Sequence, residues 1–270
     1  MVVQRHGRGS GAVVAAVVVG AVLTGCSGPA GAAPGTDPGE VVRRAPEALK
    51  RAGSAKARTS LETATGGTRV TIRGEGGYDF RRWLGRLKVV LPKGATGTDE
   101  HRPITELLTP GALYMKNRGA GVPADKWVRV DTTALTDGNL VTGGATDPAA
   151  AAELLRGARE VTYVGAEELA GVPVWHYRGV TDLGRAAGAA SPQLRGAFAA
   201  AAKGFARDTV PFDAYLDGDG RLRKVRHRFD FVNEGRAVAV ASTTLLYEFG
   251  APVEVTLPPG RDIFAGKIQG

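Results

Sequence analysis

Cysteine is almost absent from this sequence: Cys26 is the only one in 270 residues, so no disulfide can form within the chain. Histidine is nearly as scarce. Beyond the first 25 residues only His101, His176 and His227 occur, in three different predicted elements, with no spacing suited to a metal site. GxSxG, HExxH, CxxC and a Walker-type glycine loop are all missing. Without a nucleophile, base or metal constellation, the expectation is a protein that is not an enzyme and carries no cofactor or metal. Long apolar runs are missing too: beyond the first 25 residues none approaches the roughly 18 residues of a membrane-spanning helix.

The amino-terminal residues have a pattern of their own. Arg5, His6 and Arg8 form a short basic stretch, and Gly11 to Leu23 is an uncharged run of Val, Ala and Gly. As a helix that run would rise only about 20 Å, too short for a hydrocarbon core of roughly 30 Å. A basic start, a short apolar run and small residues after it read as an export signal over residues 1–25. The run ends in Leu23-Thr24-Gly25-Cys26, which resembles the bacterial lipobox. That resemblance implies that the Cys26 thiol takes a diacylglyceryl group and that the signal is cut in front of it. Two acyl chains anchor stably, because each buried methylene contributes about 0.8 kcal/mol. The expected location is the outer face of the cell membrane.

The formal net charge is +8, and removing residues 1–25 takes away Arg5 and Arg8 and no acid, leaving +6. An exported chain of this charge would meet anionic headgroups or wall polymers rather than nucleic acid, or simply present a basic, soluble surface. Residues 26–39 are rich in Gly, Pro and Ala and read as a flexible tether whose ends average about 20 Å apart. Residues 40–270 then read as one ectodomain.

Within it, Asp37-Pro38 supplies a cap and a first-turn proline, and Val41, Val42, Ala45, Ala48, Leu49 and Ala52 recur at helical spacing up to Gly53. The period then changes to two. Strands are predicted over Arg58–Ala64, Thr68–Gly74, Tyr78–Leu91, Ile104–Leu108, Leu113–Asn117 and Trp127–Asp131, with Gly66-Gly67 and Gly76-Gly77 as turns. Residues 132–146 look irregular. Asp147-Pro148 repeats the cap device and opens a helix to about Ala158. Strands follow at Glu160–Glu168 and Val172–Thr181, then an Ala-rich helix over Ser191–Ala206. Strands at Val210–Leu216, Arg221–Asn233 and Ala237–Phe249, with an extension at Val253–Leu257, close the chain. Strands and helices do not alternate, so the fold class is α+β: a long antiparallel sheet with helices on one face, in two pseudo-equivalent halves that break near Thr146.

His176, beside Trp175 and Tyr177, reads as a structural histidine, and His227, between Arg226 and Arg228, as a solvated one. The run Arg221 to Arg228 is either a headgroup contact or the solvent face of a sheet. Asp217-Gly218-Asp219-Gly220 reads as a hairpin turn; a calcium loop would need glutamate where Arg228 stands. Apolar strand positions run through the chain, and Leu87, Val89, Leu107, Trp127, Val174, Phe212, Phe229 and Leu245 are the candidates for lining a space between sheet and helices. Ordinary core packing accounts for the same residues.

Local wording carries a resemblance: Ala112-Leu-Tyr-Met with Lys126-Trp-Val-Arg-Val-Asp; Val164-Gly-Ala-Glu with Gly171-Val and His176-Tyr; Val210-Pro-Phe-Asp with Leu216-Asp-Gly-Asp-Gly-Arg-Leu; and Tyr247-Glu-Phe-Gly-Ala-Pro-Val ahead of Pro258-Pro259. With the lipobox, these resemble actinobacterial lipoproteins of the LppX/LprG type, which share the LolA-like fold. The resemblance implies a half-barrel of about eleven strands wrapped over helices and a hydrophobic cavity that carries an acylated lipid or glycolipid. Cys26 is the one residue whose role it carries over. The alternative is an envelope interaction or sensory lipoprotein with a filled core and a protein partner.

Overall fold

In the computed structural model, residues 37–65, 68–92, 102–119, 121–141, 147–205, 207–233 and 236–266 are described. Cys26, the export signal, the tether up to residue 36 and His101 lie outside them.

Asp37 caps the first helix as its sequence suggests, its carboxylate accepting from the Gly39 and Glu40 amides. The expected single helix up to Gly53 is two, α1 (Pro38–Arg43) and α2 (Ala45–Ala52). Pro46 has no N–H to continue the ladder, and the chain resets at Arg44.

The strands that follow are β1 (Ser54–Thr65), β2 (Thr68–Asp79), β3 (Leu84–Val90), β4 (Ile104–Thr109), β5 (Ala112–Lys116) and β6 (Trp127–Asp131). The turn expected at Gly76-Gly77 is the interior of β2. A Cβ on Gly76 would lie 1.9 Å from the Arg86 carbonyl oxygen, so glycine is there for close approach of two strands. The reversal falls at Phe80–Trp83 instead, held by Asp79, whose Oδ1 accepts from the Arg81 and Arg82 amides at 2.9 and 2.8 Å.

Asp147 caps α3 (Pro148–Glu153), and a 3-10 turn over Leu154–Gly157 leads into β7 (Ala158–Leu169) and β8 (Val172–Asp182). The helix α4 (Leu183–Ala189) was not expected, because Gly184 and Gly188 lower its propensity; Asp182 caps it by accepting from the Arg185 amide. Then come α5 (Pro192–Gly204), β9 (Thr209–Leu216), β10 (Leu222–Asn233) and β11 (Arg236–Tyr247). The Asp217 to Gly220 segment is the hairpin turn between β9 and β10, with Asp217 Oδ1 accepting from the Asp219 and Arg221 amides. No strand forms at Val253–Leu257.

All eleven strands join one antiparallel sheet in the order β6-β5-β4-β3-β2-β1-β11-β10-β9-β8-β7. The chain meanders outward from β1 to one edge at β6. After α3 it re-enters at the opposite edge, β7, and meanders back until β11 pairs with β1. The two halves expected from the sequence are these two meanders.

One face of the sheet packs on the helices. Val42, Leu49, Leu154, Leu155, Leu183 and Phe198 join Ala57, Leu87, Phe212, Val225 and Leu246 in a single buried core. Each large side chain so buried contributes about 1.5–3 kcal/mol. The other face carries Lys56, Arg58, Arg86, Lys88, Lys224, Arg226 and Arg228, and from Gly250 the chain runs back across it. Val253 lies against Gly77, and near the end the Phe264 amide donates to the Trp127 carbonyl at 2.8 Å.

Candidate functional site

The helix-facing side of the sheet is the candidate site, and strand register decides which residues reach it. Antiparallel partners share a face, so Leu87, Glu106, Met115 and Val128 form one row across β3 to β6. Leu246 and Ala57, Thr244 and Thr59, Val225 and Thr244, and Phe212 and His227 extend the same face over the centre of the sheet.

Four of the eight candidate lining residues lie on this face: Leu87, Val89, Phe212 and Phe229, all buried in the common core. The other four point the opposite way. Leu107 pairs with Arg86 and Tyr114, and Leu245 with Arg58 and Lys224; Leu245 is 37% exposed. Val174 is buried but alternates with Trp175, which holds the inner position. Trp127 is half-buried at the edge, its ring under the Lys116 ammonium. At each of these four the neighbour takes the inner place: Leu108, Leu246, Trp175 and Val128.

His227 corrects the expectation of a solvated side chain. It is 1% exposed and sits between the Phe212 and Phe229 rings, with centroids at 6.2 and 6.0 Å. Strand alternation puts it on the face opposite its neighbours Arg226 and Arg228, and an irregularity between Leu222 and Lys224 sets the phase of this part of β10. Lys224, Arg226 and Arg228 therefore face outward, while Val225, His227 and Phe229 face the helices. Burial pushes the His227 pKa down to about 3, so the ring is neutral. Its Nε2, and the hydroxyls of buried Thr59 and Thr244 on the adjacent strands, have no hydrogen-bond partner. Sequence reasoning missed this group. Its only trace is a polar residue at alternate positions of otherwise apolar strand faces.

Toward the helix layer an ionic group is satisfied by pairing. Arg156 lies 2.8 Å from both Glu153 and Glu47, and Glu153 also accepts from the Ser191 amide. These residues border a cavity of about 50 Å³ with Leu49, Phe80 and Trp83, room for a few water molecules. Nearby, burial raises the Asp147 carboxyl to about 6 despite its two backbone hydrogen bonds.

The outer face handles charge by pairing. Asp213 is bonded to His176 Nε2 at 2.8 Å, Arg178 at 3.0 Å and Arg228 at 2.7 Å. Burial alone would raise its pKa, but these three donors outweigh it and hold the carboxyl at about 2. His176 Nδ1 meets Glu167 at 2.8 Å and its ring stacks on Tyr215. With both ring nitrogens occupied by carboxylates, His176 has none left to take a proton from a nucleophile, as suits a structural histidine. A groove of about 520 Å³ lies between this face and the returning carboxy-terminal segment, lined by Lys56, Arg58, Glu75, Arg86, Tyr247 and Val253 among others. Among the described residues no cluster of His, Cys, Asp and Glu could hold a metal ion, and no helix is long and apolar enough to cross a membrane.

An open curved antiparallel sheet of eleven strands wrapped on one side over helices defines the fold class, and a solved structure shares it. The chain superposes on the lipoprotein LppX from Mycobacterium tuberculosis with a TM-score of 0.51, at 12% identity, over 81% of this chain and 98% of that one. LprF from Mycobacterium bovis matches with a TM-score of 0.42 at 12% identity, over 83% and 97%. A LolA superfamily protein from Nitrosomonas europaea matches with 0.33 at 11%, over 79% and 92%. The fold is that of LppX. No protein-family model and no curated protein matches the sequence.

Proposed function

We propose that this chain is an extracytoplasmic lipoprotein, anchored to the membrane through Cys26, that binds or carries a lipid or another hydrophobic ligand between its sheet and its helices. The observation that carries the reading is the one-sided sheet: eleven strands turn a largely apolar face toward a thin layer of short helices. The LppX fold and the Leu23-Thr-Gly-Cys26 pattern support it, LppX itself being a lipoprotein. Residues 26–36 would then hold the sheet within a tether's length of the membrane that supplies the ligand. No step of this activity requires bond chemistry, so no catalytic residue is assigned.

Native mass spectrometry of the full chain, extracted from membranes in mild detergent, tests the reading. A lipid that leaves only on unfolding is expected, together with a diacylglyceryl mass on Cys26 that Cys26→Ser removes. Ligand-free protein that takes up no added lipid would overturn it. The second reading, an envelope interaction or sensory lipoprotein with a filled core, draws on the 50 Å³ space between α2, α3 and the Phe80–Trp83 reversal, which is too small for a lipid. It predicts a crosslinked envelope protein and no bound lipid.

A further inference from the structure

On the helix-facing side of the sheet, three neighbouring strands place Thr59 opposite Thr244 and His227 two residues along from Thr244's own partner, Val225. All three side chains are buried, at 4%, 1% and 1% exposure, and the Thr59 and Thr244 hydroxyls and His227 Nε2 are without hydrogen-bond partners. Valine would fill either threonine position with the same volume and no polar atom to desolvate, and the same face uses valine at 225, 238 and 240. Two hydroxyls and one imidazole nitrogen left unbonded on three adjacent strands of one face mark a place where something else completes their hydrogen bonds.

We infer that Thr59, Thr244 and His227 form a polar subsite that binds an uncharged hydrogen-bonding group, an ester or hydroxyl, of an otherwise apolar ligand. This rests on the carrier reading and sharpens it. The charge of the occupant follows from the faces of β10. Arg226 and Arg228 point away from the helices, and burial between Phe212 and Phe229 keeps the His227 ring neutral. A carboxylate or phosphate at this place would be buried without a counter-charge, which the neutral group is not. Each threonine hydroxyl donates to a carbonyl or accepts from a hydroxyl, and the neutral imidazole does either, according to its tautomer.

Competition on the full chain in detergent tests this, with monoolein, oleate and 1-octadecene offered at equal concentration and bound species read by native mass spectrometry. The three share an eighteen-carbon chain and differ in the polar group: ester and hydroxyls, carboxylate, or none. Monoolein is expected to be held about tenfold more than either other probe, the worth of one or two net hydrogen bonds. The Thr59→Val, Thr244→Val, His227→Phe triple variant is expected to level monoolein with octadecene. Equal uptake of all three by the unaltered chain, or an undiminished preference in the variant, would overturn the subsite and leave the carrier reading standing. Uptake of none would overturn both. Thr244→Val alone keeps the side-chain shape: an unchanged or raised Tm and a preference cut about threefold are expected. A lowered Tm with full preference would show that the hydroxyl serves the fold and not a ligand.

Discussion

Asp213 and His227 sit on neighbouring strands of one sheet, one residue out of step, and they face opposite ways. Asp213, on the outer face, collects three cationic or imidazole donors and is held ionised to about pH 2. His227, on the inner face, has an unbonded nitrogen between two phenyl rings and is held neutral to about pH 3. Both pKa values move down, one because charges surround the group and one because nothing does. At this pair of strands the outer face answers polarity with pairing, and the inner face answers it with neutrality. That division lets a basic surface and an apolar interior share strands that are one residue thick.

The inner face depends most on Phe212, fully buried beside His227. Phe212→Ala is expected to cost about 3–5 kcal/mol in urea unfolding. The next effect is in pH. The stability that neutral His227 contributes is complete above about pH 6.5, its unfolded pKa, and is lost as pH falls toward 3. Tm measured across that window is expected to fall in the unaltered chain and to fall several degrees less in His227→Phe. Asp213→Asn removes the charged acceptor of His176, Arg178 and Arg228 and is expected to cost about 2 kcal/mol at neutral pH. It would also abolish the loss that Asp213 contributes as pH falls from about 3.8 to 2. The smallest effect is at Leu245, whose outward position predicts a change within about 0.5 kcal/mol for Leu245→Ala. A cost near that of Phe212→Ala would place Leu245 inside and undo the assignment of faces.

Much of the architecture was legible in the sequence because it rests on local chemistry. Asp-Pro pairs at 37 and 147 cap helices, and Asp217 closes its hairpin, each through bonds to amides within four residues. The phase of individual strands was not legible where two apolar residues adjoin. Leu107-Leu108, Trp127-Val128, Val174-Trp175 and Leu245-Leu246 each satisfy period two in either register, and in each pair the residue chosen points outward. Only the partner strand settles such a choice, and that is long-range information. In β10 an irregularity between Leu222 and Lys224 resets the phase, so the inward place of Leu222 does not extend to Lys224, whereas His227 falls opposite its arginine neighbours by plain alternation. Gly76-Gly77 looked like a turn because glycine is common in turns, whereas here it admits the backbone of β3 and the side chain of Val253.

The pairing of β1 with β11 has a consequence for how this chain comes together. At Lys56 and Tyr247 the strands that meet there are 191 residues apart, while every other ladder in the described sheet joins consecutive strands. Each meander can zip up from its hairpins as it is made, at low loop-closure cost. Until the last strand emerges, β1 remains an open edge, and the apolar faces of both halves lack their common seam. A chain made amino terminus first thus passes a long interval with a sticky, unpaired edge. Closure of the sheet waits on the arrival of β11.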